Sequence, residues 1–354
     1  MSFHHRVHQS TAGLPLINVA GLRGHDPRQV RLIADRIGAA AREFGFFRIA
    51  GHGIDPDLIE DTYSAARRFF ALPEREKLQS YIGHSRNHRG YVPFTEKGDY
   101  ADEVNRNYEA FDLGPDGPAH DPDYMAGRLL VGPNSWPELA GFRSTVARYY
   151  DQISRLGRLL CCALEMHLDL PPTSLTRHMT KPISQLRLLH YVRAAQTVTH
   201  TSVNMGAHTD YECLTLLHTR NEGLQVMTQD DKWIDVPVDR KVYVCNIGDM
   251  LEAWSNGILR STPHRVLNLA PERFSMPYFV AANHDTEIRP FPELVARRGM
   301  AHYAPFRAGA HLERMLLRDF PYLRQRQRSQ QALVQAESSI DNPFEHRIDR
   351  TPVA

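Results

Sequence analysis

Cysteine is scarce in this chain, four among 354 residues, and no two of them stand in a C-x-x-C pair. That spacing is the mark of closed zinc sites and dithiol redox centres, and its absence argues against both. Cys161 and Cys162 are adjacent in a helical pattern, while Cys213 and Cys245 fall in strand-like runs. All four are expected as small buried hydrophobes in a reducing compartment. No apolar run approaches the roughly 20 residues that a bilayer span requires. The opening Met1-Ser2-Phe3-His4-His5 lacks the charged-then-apolar pattern of a secretory signal, and His4 and His5 are expected in a solvated tail. Neither sign of charge dominates: 42 Lys and Arg stand against 41 Asp and Glu, so no global attraction to nucleic acid or anionic membrane is expected. A cytoplasmic protein is the expectation these absences leave.

What is present is a change of period. The segment 14–19 is a short apolar strand, and Asp26-Pro27 supplies a helix cap followed by proline at the first helical position. Val30, Ile33, Ile37, Ala41 and Phe44 then recur at helical spacing up to Gly45. A β-rich run over 46–49 follows, and Asp55-Pro56 repeats the cap signal for a second helix. The stretch 81–136, rich in Gly, Pro, Asp and Asn, is expected as long loops with one or two short strands, lining or covering a site. A long helix is expected from 137 to 168. Beyond residue 183 the period turns strand-like, with short runs at 185–192, 214–218, 223–227, 233–237, 242–246, 264–269 and 274–281, the pattern of a double-sheet barrel or sandwich. A helix is expected over 309–318, and the last thirty residues read as a solvated or disordered tail. There is no internal repeat and no clear linker. The expected division is an N-terminal helical and mixed region over 1–135, a core over 136–320 and a polar tail over 321–354.

Within the strand-rich half stand His208-Thr209-Asp210 and, 54 residues on, His264 in Ser-Thr-Pro-His-Arg-Val. Two imidazoles and a carboxylate can grip one side of a non-haem Fe(II) and leave the other side open. Alternation along a strand would aim His208 and Asp210 at one metal and turn Thr209 away. Catalytic zinc also uses two histidines and a carboxylate, so ligand type alone leaves a hydrolase open. Downstream, Arg273 and Ser275 are spaced two apart on a strand-like run. A guanidinium and a hydroxyl so placed make a receptor for the far carboxylate of an organic co-substrate.

Longer motifs carry the same residues. Gly206-Ala207-His208-Thr209-Asp210-Tyr211 with Leu214-Thr215-Leu216, then Asn246-Ile247-Gly248-Asp249-Met250-Leu251, Trp254-Ser255-Asn256-Gly257, Ser261-Thr262-Pro263-His264-Arg265-Val266 and Glu272-Arg273-Phe274-Ser275 together resemble the isopenicillin N synthase-like Fe(II)/2-oxoglutarate-dependent oxygenases. Gly45-Phe46-Phe47 and Gly51-His52-Gly53-Ile54 resemble that family's N-terminal region, so the likeness runs over residues 14 to 320. It implies a mainly β protein with flanking helices around a double-stranded β-helix, a jelly-roll or cupin-like core. It implies His208, Asp210 and His264 as ligands of Fe(II), Arg273 and Ser275 as the holders of 2-oxoglutarate, and Tyr191 as their helper, although Val192 stands where the family commonly has proline.

The implied activity is a dioxygenase, an oxidoreductase using Fe(II), 2-oxoglutarate and O2 to hydroxylate or desaturate a small molecule such as an amino acid or a secondary-metabolism intermediate, with release of succinate and CO2. An oxidase or cyclase of the isopenicillin N synthase type, which draws its electrons from substrate alone, shares these motifs and is the alternative. After Asp210-Tyr211 the family commonly has glycine, and this chain has Glu212, an acid expected either to face solvent or to contact a cationic substrate. Arg89, Tyr91, Glu109 and Phe111 fall in regions that shape the substrate pocket in relatives and are expected there, with Asn204 and Asn283 as weaker candidates.

Overall fold

The computed structural model describes residues 13–94, 108–192, 203–267 and 269–338. His4, His5 and the side chain of Asn204 lie outside the described set. Leu16–Asn18 (β1) and Phe46–Ala50 (β2) pair in parallel around helix Pro27–Glu43 (α1). The α1 cap is as expected: Asp26 accepts a hydrogen bond from the Arg28 amide at 2.9 Å, with Pro27 next. Asp55 caps Pro56–Phe70 (α2) in the same way. Two short helices, Glu74–Lys77 (α3) and Pro122–Met125 (α4), flank the strands Gly90–Val92 (β3) and Tyr108–Leu113 (β4). Phe142–His167 (α5) is the long supporting helix, beginning five residues later than its sequence pattern predicts because residues 137–141 form a turn closed by the Phe142 amide on the Leu139 carbonyl.

The remaining strands are Gln185–Val192 (β5), Val203–His208 (β6), Leu214–Thr219 (β7), Leu224–Met227 (β8), Trp233–Asp235 (β9), Tyr243–Ile247 (β10), His264–Leu267 (β11) and Glu272–Val280 (β12). Asp249–Trp254 (α6) follows β10, Pro292–Arg298 (α7) follows β12, and Ala308–Asp319 (α8) and Pro321–Ser338 (α9) close the described chain. The polar tail expected from residue 321 thus opens as helix. Its first turn is docked, with Tyr322 and Leu323 buried in the core.

Two sheets form. The larger runs β1-β2-β10-β7-β12-β5-β4-β3, and the smaller runs β6-β11-β8-β9. They face each other as the two walls of a double-stranded β-helix, with flanking helices on the outside of the large sheet. Side chains alternate across a strand, so the large sheet has a helix-facing side and a side turned to the small sheet. On the helix side Phe111 packs against Phe69 of α2 and Phe142 of α5, with centroids 5.0 and 5.2 Å apart. Gly157 lets α5 lie close: a Cβ there would sit 2.6 Å from Val280 Cγ2. Between the sheets, Phe46, Leu224, Val226, Val244 and Val266 form a separate apolar cluster. The metal-type residues open beside it.

Candidate active site

The site begins with a strand pairing. β11 runs antiparallel to β6, and His264 stands directly opposite His208. Their ring centroids are 4.3 Å apart. His208 is the last residue of β6, and the chain has left the strand before Asp210. The expectation that His208 and Asp210 share a strand face is therefore corrected. Asp210 lies in the connection to β7, where its backbone carbonyl accepts from the Asp249 amide at 2.8 Å. Thr209 points its hydroxyl at Asp249 Oδ2, 3.3 Å away.

Each of the three side chains is held by one atom and leaves another free. His208 Nδ1 lies 2.8 Å from the Gly206 carbonyl, and His264 Nδ1 lies 3.3 Å from the Thr262 carbonyl. Both Nε2 atoms then converge on Asp210 Oδ1, at 3.8 and 3.6 Å. The other carboxylate oxygen, Oδ2, accepts from Asn246 Nδ2 at 2.7 Å and from Thr215 Oγ1 at 2.5 Å. The candidate donor atoms all lie within 4.8 Å of one another, the spacing of ligands around one ion. Burial would push the Asp210 carboxyl up, but His264, His208, Asn246 and Thr215 outweigh it and hold it below its ordinary value. Burial first, and then His208, push His264 down, so its imidazole is neutral. An anionic carboxylate and a neutral imidazole are the forms that bind a metal. Phe46 packs edge-on against His264 at 5.3 Å and shields that side.

The donor set fits Fe(II) with an open side. A second test is a buried guanidinium. Arg273 is 2% exposed, and its Nε and Nη2 have no hydrogen-bond partner among the described residues. Its Nη1 donates to Ser275 Oγ at 3.0 Å, and its guanidinium lies 4.8 Å from the ring centre of Tyr191, its cross-strand neighbour. A buried cation with two unused donors calls for an anion, and the fork geometry suits a carboxylate.

A cavity of about 200 Å³ joins the two parts. Alternation dictates its wall. Gln185, Arg187, Leu189 and Tyr191 of β5, and Arg273, Ser275, Pro277 and Phe279 of β12, all face inward. Tyr191 and Arg273 pair at one end of these strands, and Gln185 and Phe279 pair at the other. The cavity thus has a guanidinium end and a far end. At the far end Leu316, Arg318, Asp319 and Phe320 from the close of α8 complete the wall.

Not every predicted site residue reaches this cavity. His208, Asp210, His264, Arg273, Ser275, Tyr191 and Glu212 line it. Arg89, Tyr91, Glu109 and Phe111 do not, which corrects the expectation that they form the substrate pocket. β4 presents Tyr108 to the cavity, and Phe111, opposite Tyr91 of β3, packs on the helix side. Glu109, next to Tyr108 and so on the other face, is used up by Lys77 Nζ at 2.6 Å, Tyr91 Oη at 2.6 Å and His190 Nδ1 at 2.7 Å. Arg89 is fully buried and donates to the Leu130 and His88 carbonyls, at 2.7 and 3.2 Å. Asn283 ties two distant segments together: its Oδ1 accepts from the Lys181 amide at 2.7 Å and its Nδ2 donates to Thr180 Oγ1 at 2.9 Å.

Sequence reading missed Asn246, Thr215, Arg187, Gln185 and the α8 terminus. A signal existed for Arg187, which stands four residues before Tyr191 and so shares its face. None existed for α8, whose docking is a matter of tertiary packing.

Comparison with known proteins agrees with this geometry. Residues 14–139 match the model described as non-haem dioxygenase in morphine synthesis N-terminal, and residues 183–282 match the 2OG-Fe(II) oxygenase superfamily. A 2-oxoglutarate-Fe(II) type oxidoreductase of Aspergillus fumigatus is 30% identical over 278 residues, covering 77% of this chain and 82% of its own length. The homoarginine-6-hydroxylase 2-ODD-233 of Oryza sativa subsp. japonica is 31% identical over 327 residues, covering 87% and 97%. Among solved structures, a full-length Neurospora crassa protein in complex with alpha-KG superposes with a TM-score of 0.75 at 27% identity, covering 86% of this chain and 96% of that one.

Proposed function

The chain belongs to the 2OG-Fe(II) oxygenase superfamily, and from that premise we propose that His208, Asp210 and His264 hold the iron and that Arg273, Ser275 and Tyr191 hold 2-oxoglutarate. The enzyme is a non-haem Fe(II)- and 2-oxoglutarate-dependent dioxygenase that oxidises a small molecule. When bound, the iron and co-substrate supply the oxidising chemistry: O2 is consumed, 2-oxoglutarate becomes succinate and CO2, and the substrate is hydroxylated or desaturated.

The observation that carries the residue assignment is the pair of leftover valences. Asp210 Oδ1 and the two histidine Nε2 atoms face one point, and the buried guanidinium of Arg273 has two unused donors facing the same cavity. Each remaining step falls to residues of the chain. Thr215 and Asn246 hold Oδ2 so that Oδ1 alone turns to the histidines. The Gly206 and Thr262 carbonyls lie where they fix both imidazoles with Nδ1 protonated and Nε2 free. Tyr191 and Ser275 orient the guanidinium, and the apolar wall of Leu189, Leu217 and Val266 excludes water from the centre.

Residues 1–135 and 136–320 are read as one oxygenase unit. β1 to β4 complete the same large sheet as the core strands, and Tyr108 lines the cavity, which supports that reading. Relatives named as a homoarginine hydroxylase and as 2-oxoglutarate-dependent dioxygenases support an amino acid or secondary-metabolite substrate. No helix among the described residues is long and apolar enough to cross a membrane. The deciding experiment is anaerobic reconstitution with Fe(II), followed by a mass-spectrometric substrate screen with 2-oxoglutarate and O2. Succinate formed with a product shifted by plus 16 or minus 2 is expected; substrate-driven O2 uptake without succinate would favour the 2-oxoglutarate-independent oxidase instead.

A further inference from the structure

Glu212 is the feature of the cavity that the assignment above does not use. It is 5% exposed, yet its side chain lines the cavity two residues beyond Asp210. A buried carboxylate is costly unless a cation or several hydrogen bonds compensate it, so the first question is what pairs with it. Among the described residues it forms no ion pair, and its one hydrogen-bonding partner is its own backbone amide. The cations around it are committed elsewhere. Arg187, the nearest in effect, is held bidentately by Asp112, Nε to Oδ1 and Nη2 to Oδ2, both at 2.7 Å. Arg318 is held by Asp319 at 3.0 Å and donates to the Tyr211 hydroxyl at 2.6 Å. Tyr211 in turn donates to Asp319 Oδ2 at 2.8 Å. Arg273 lies at the opposite end of β12, beyond Ser275 and Pro277.

Among the described residues, Arg187 and Arg318 on the far wall are thus engaged by Asp112 and Asp319, and Glu212 has no such partner. The surroundings are also the kind a cation favours. Tyr211, Phe279 and Phe320 share the wall, and aromatic rings attract a desolvated positive charge. Charge balance points the same way on the proposed assignment. The two charges of Fe(II), with Asp210, Arg273 and doubly anionic 2-oxoglutarate, sum to zero, and the Arg187–Asp112 and Arg318–Asp319 pairs add nothing. Among the described residues, no cation on the far wall is then left over to balance a carboxylate at Glu212.

We infer that Glu212 is a specificity-determining residue that anchors a positively charged nitrogen of the substrate, an ammonium or a guanidinium, at the far end of the cavity. This inference rests on the assignment of the cavity to iron, 2-oxoglutarate and substrate. It narrows the substrate to organic cations, and it gives a residue whose change should alter selectivity rather than co-substrate binding.

The test is anaerobic calorimetry on the Fe(II)-loaded full chain, in two stages. 2-Oxoglutarate is titrated first. Matched probes follow, each a cation with its neutral counterpart: L-arginine with L-citrulline, agmatine with N-carbamoylputrescine, and benzylamine with benzyl alcohol. The wild-type protein is expected to bind at least one cation about tenfold or more tighter than its neutral partner, the worth of one charge-assisted hydrogen bond in a dry site. In Glu212→Gln that preference should fall to about twofold or less, while the 2-oxoglutarate dissociation constant moves by less than about threefold. Glu212→Asp, which keeps the charge, should retain the preference with weaker binding. Equal affinities within every pair in the wild type would overturn the inference, and so would a preference that survives in Glu212→Gln. If 2-oxoglutarate itself fails to bind the wild type, the assignment of the cavity falls on that result alone. The cation comparison, repeated without co-substrate, then still decides the role of Glu212.

Discussion

Two of the buried carboxylates that sit beside histidine, Glu109 and Asp210, end in opposite states. Glu109, on the helix side of the large sheet, has both oxygens answered, Oε2 by Lys77 and Tyr91 and Oε1 by His190. Asp210, between the sheets, has Oδ2 answered by Thr215 and Asn246 while Oδ1 faces two imidazoles that also have an atom to spare. Composition hardly distinguishes the two clusters, since both combine a carboxylate with histidine and a hydroxyl. What separates a structural cluster from a site is the number of valences left over. A saturated network stabilises the fold, and an unsaturated one waits for a ligand.

The comparison is broken most severely at its functional half. Asp210→Ala or His264→Ala should abolish iron binding and lower 2-oxoglutarate turnover by about a thousandfold or more, because catalysis loses the metal outright. Metal content and succinate formation measure this, and a mutant that keeps both would remove these residues from the site. The same variants should keep their melting temperature within a few degrees. Next in size is Arg273→Lys, which keeps the charge but loses the fork. It should weaken 2-oxoglutarate binding by about 10- to 100-fold with little change in iron content, as read by calorimetry.

At the structural half, Glu109→Ala should cost about 3 kcal/mol of stability, since it removes the buried counter-charge of Lys77 and leaves His190 with Glu272 alone. A denaturant titration reads this, and the 2-oxoglutarate dissociation constant should hardly change. The smallest effect is in acid. Burial pushes the Glu109 carboxyl up, but hydrogen bonds from His190, Lys77 and Tyr91 more than offset it and leave it below the ordinary value of 4.5. A depressed carboxyl contributes stability that is present above pH 4.5 and fades as pH falls below it. Glu109→Gln should therefore show a shallower loss of stability between about pH 4.5 and 3 than the wild type, and an identical acid profile would contradict the pairing.

The same contrast explains what could be read in the sequence. His208, Asp210, His264, Arg273 and Ser275 were legible because their chemistry and order constrain one another, whatever the exact course of the chain. The strands and the two Asp-Pro helix starts were legible because period and capping are local. Tyr91, Glu109 and Phe111 were misplaced for a definite reason. β3 and β4 are short, and residue order alone does not say which face of a six-residue strand meets the cavity. Only the pairing with β5, which sets Tyr108 opposite Tyr191 and Glu109 opposite His190, decides it. Arg89 looked like a substrate contact because it falls in a loop-rich stretch that could line a pocket, yet its donors go to backbone carbonyls at a bend. The helical start of the tail escaped notice because its anchors, Tyr322 and Leu323, are two apolar residues ahead of a long polar run.

The pairing of His264 with His208 across β11 and β6 has a bearing on folding as well as on chemistry. A slip of one residue between these strands would send the His264 ring to the opposite side of the small sheet. With both histidines as ligands, a chain in the slipped register cannot close the triangle around a metal. On the proposed assignment, iron capture would act as proofreading: the ion would be retained only by molecules whose small sheet has zipped correctly, and its binding energy would deepen that register against its nearest competitor.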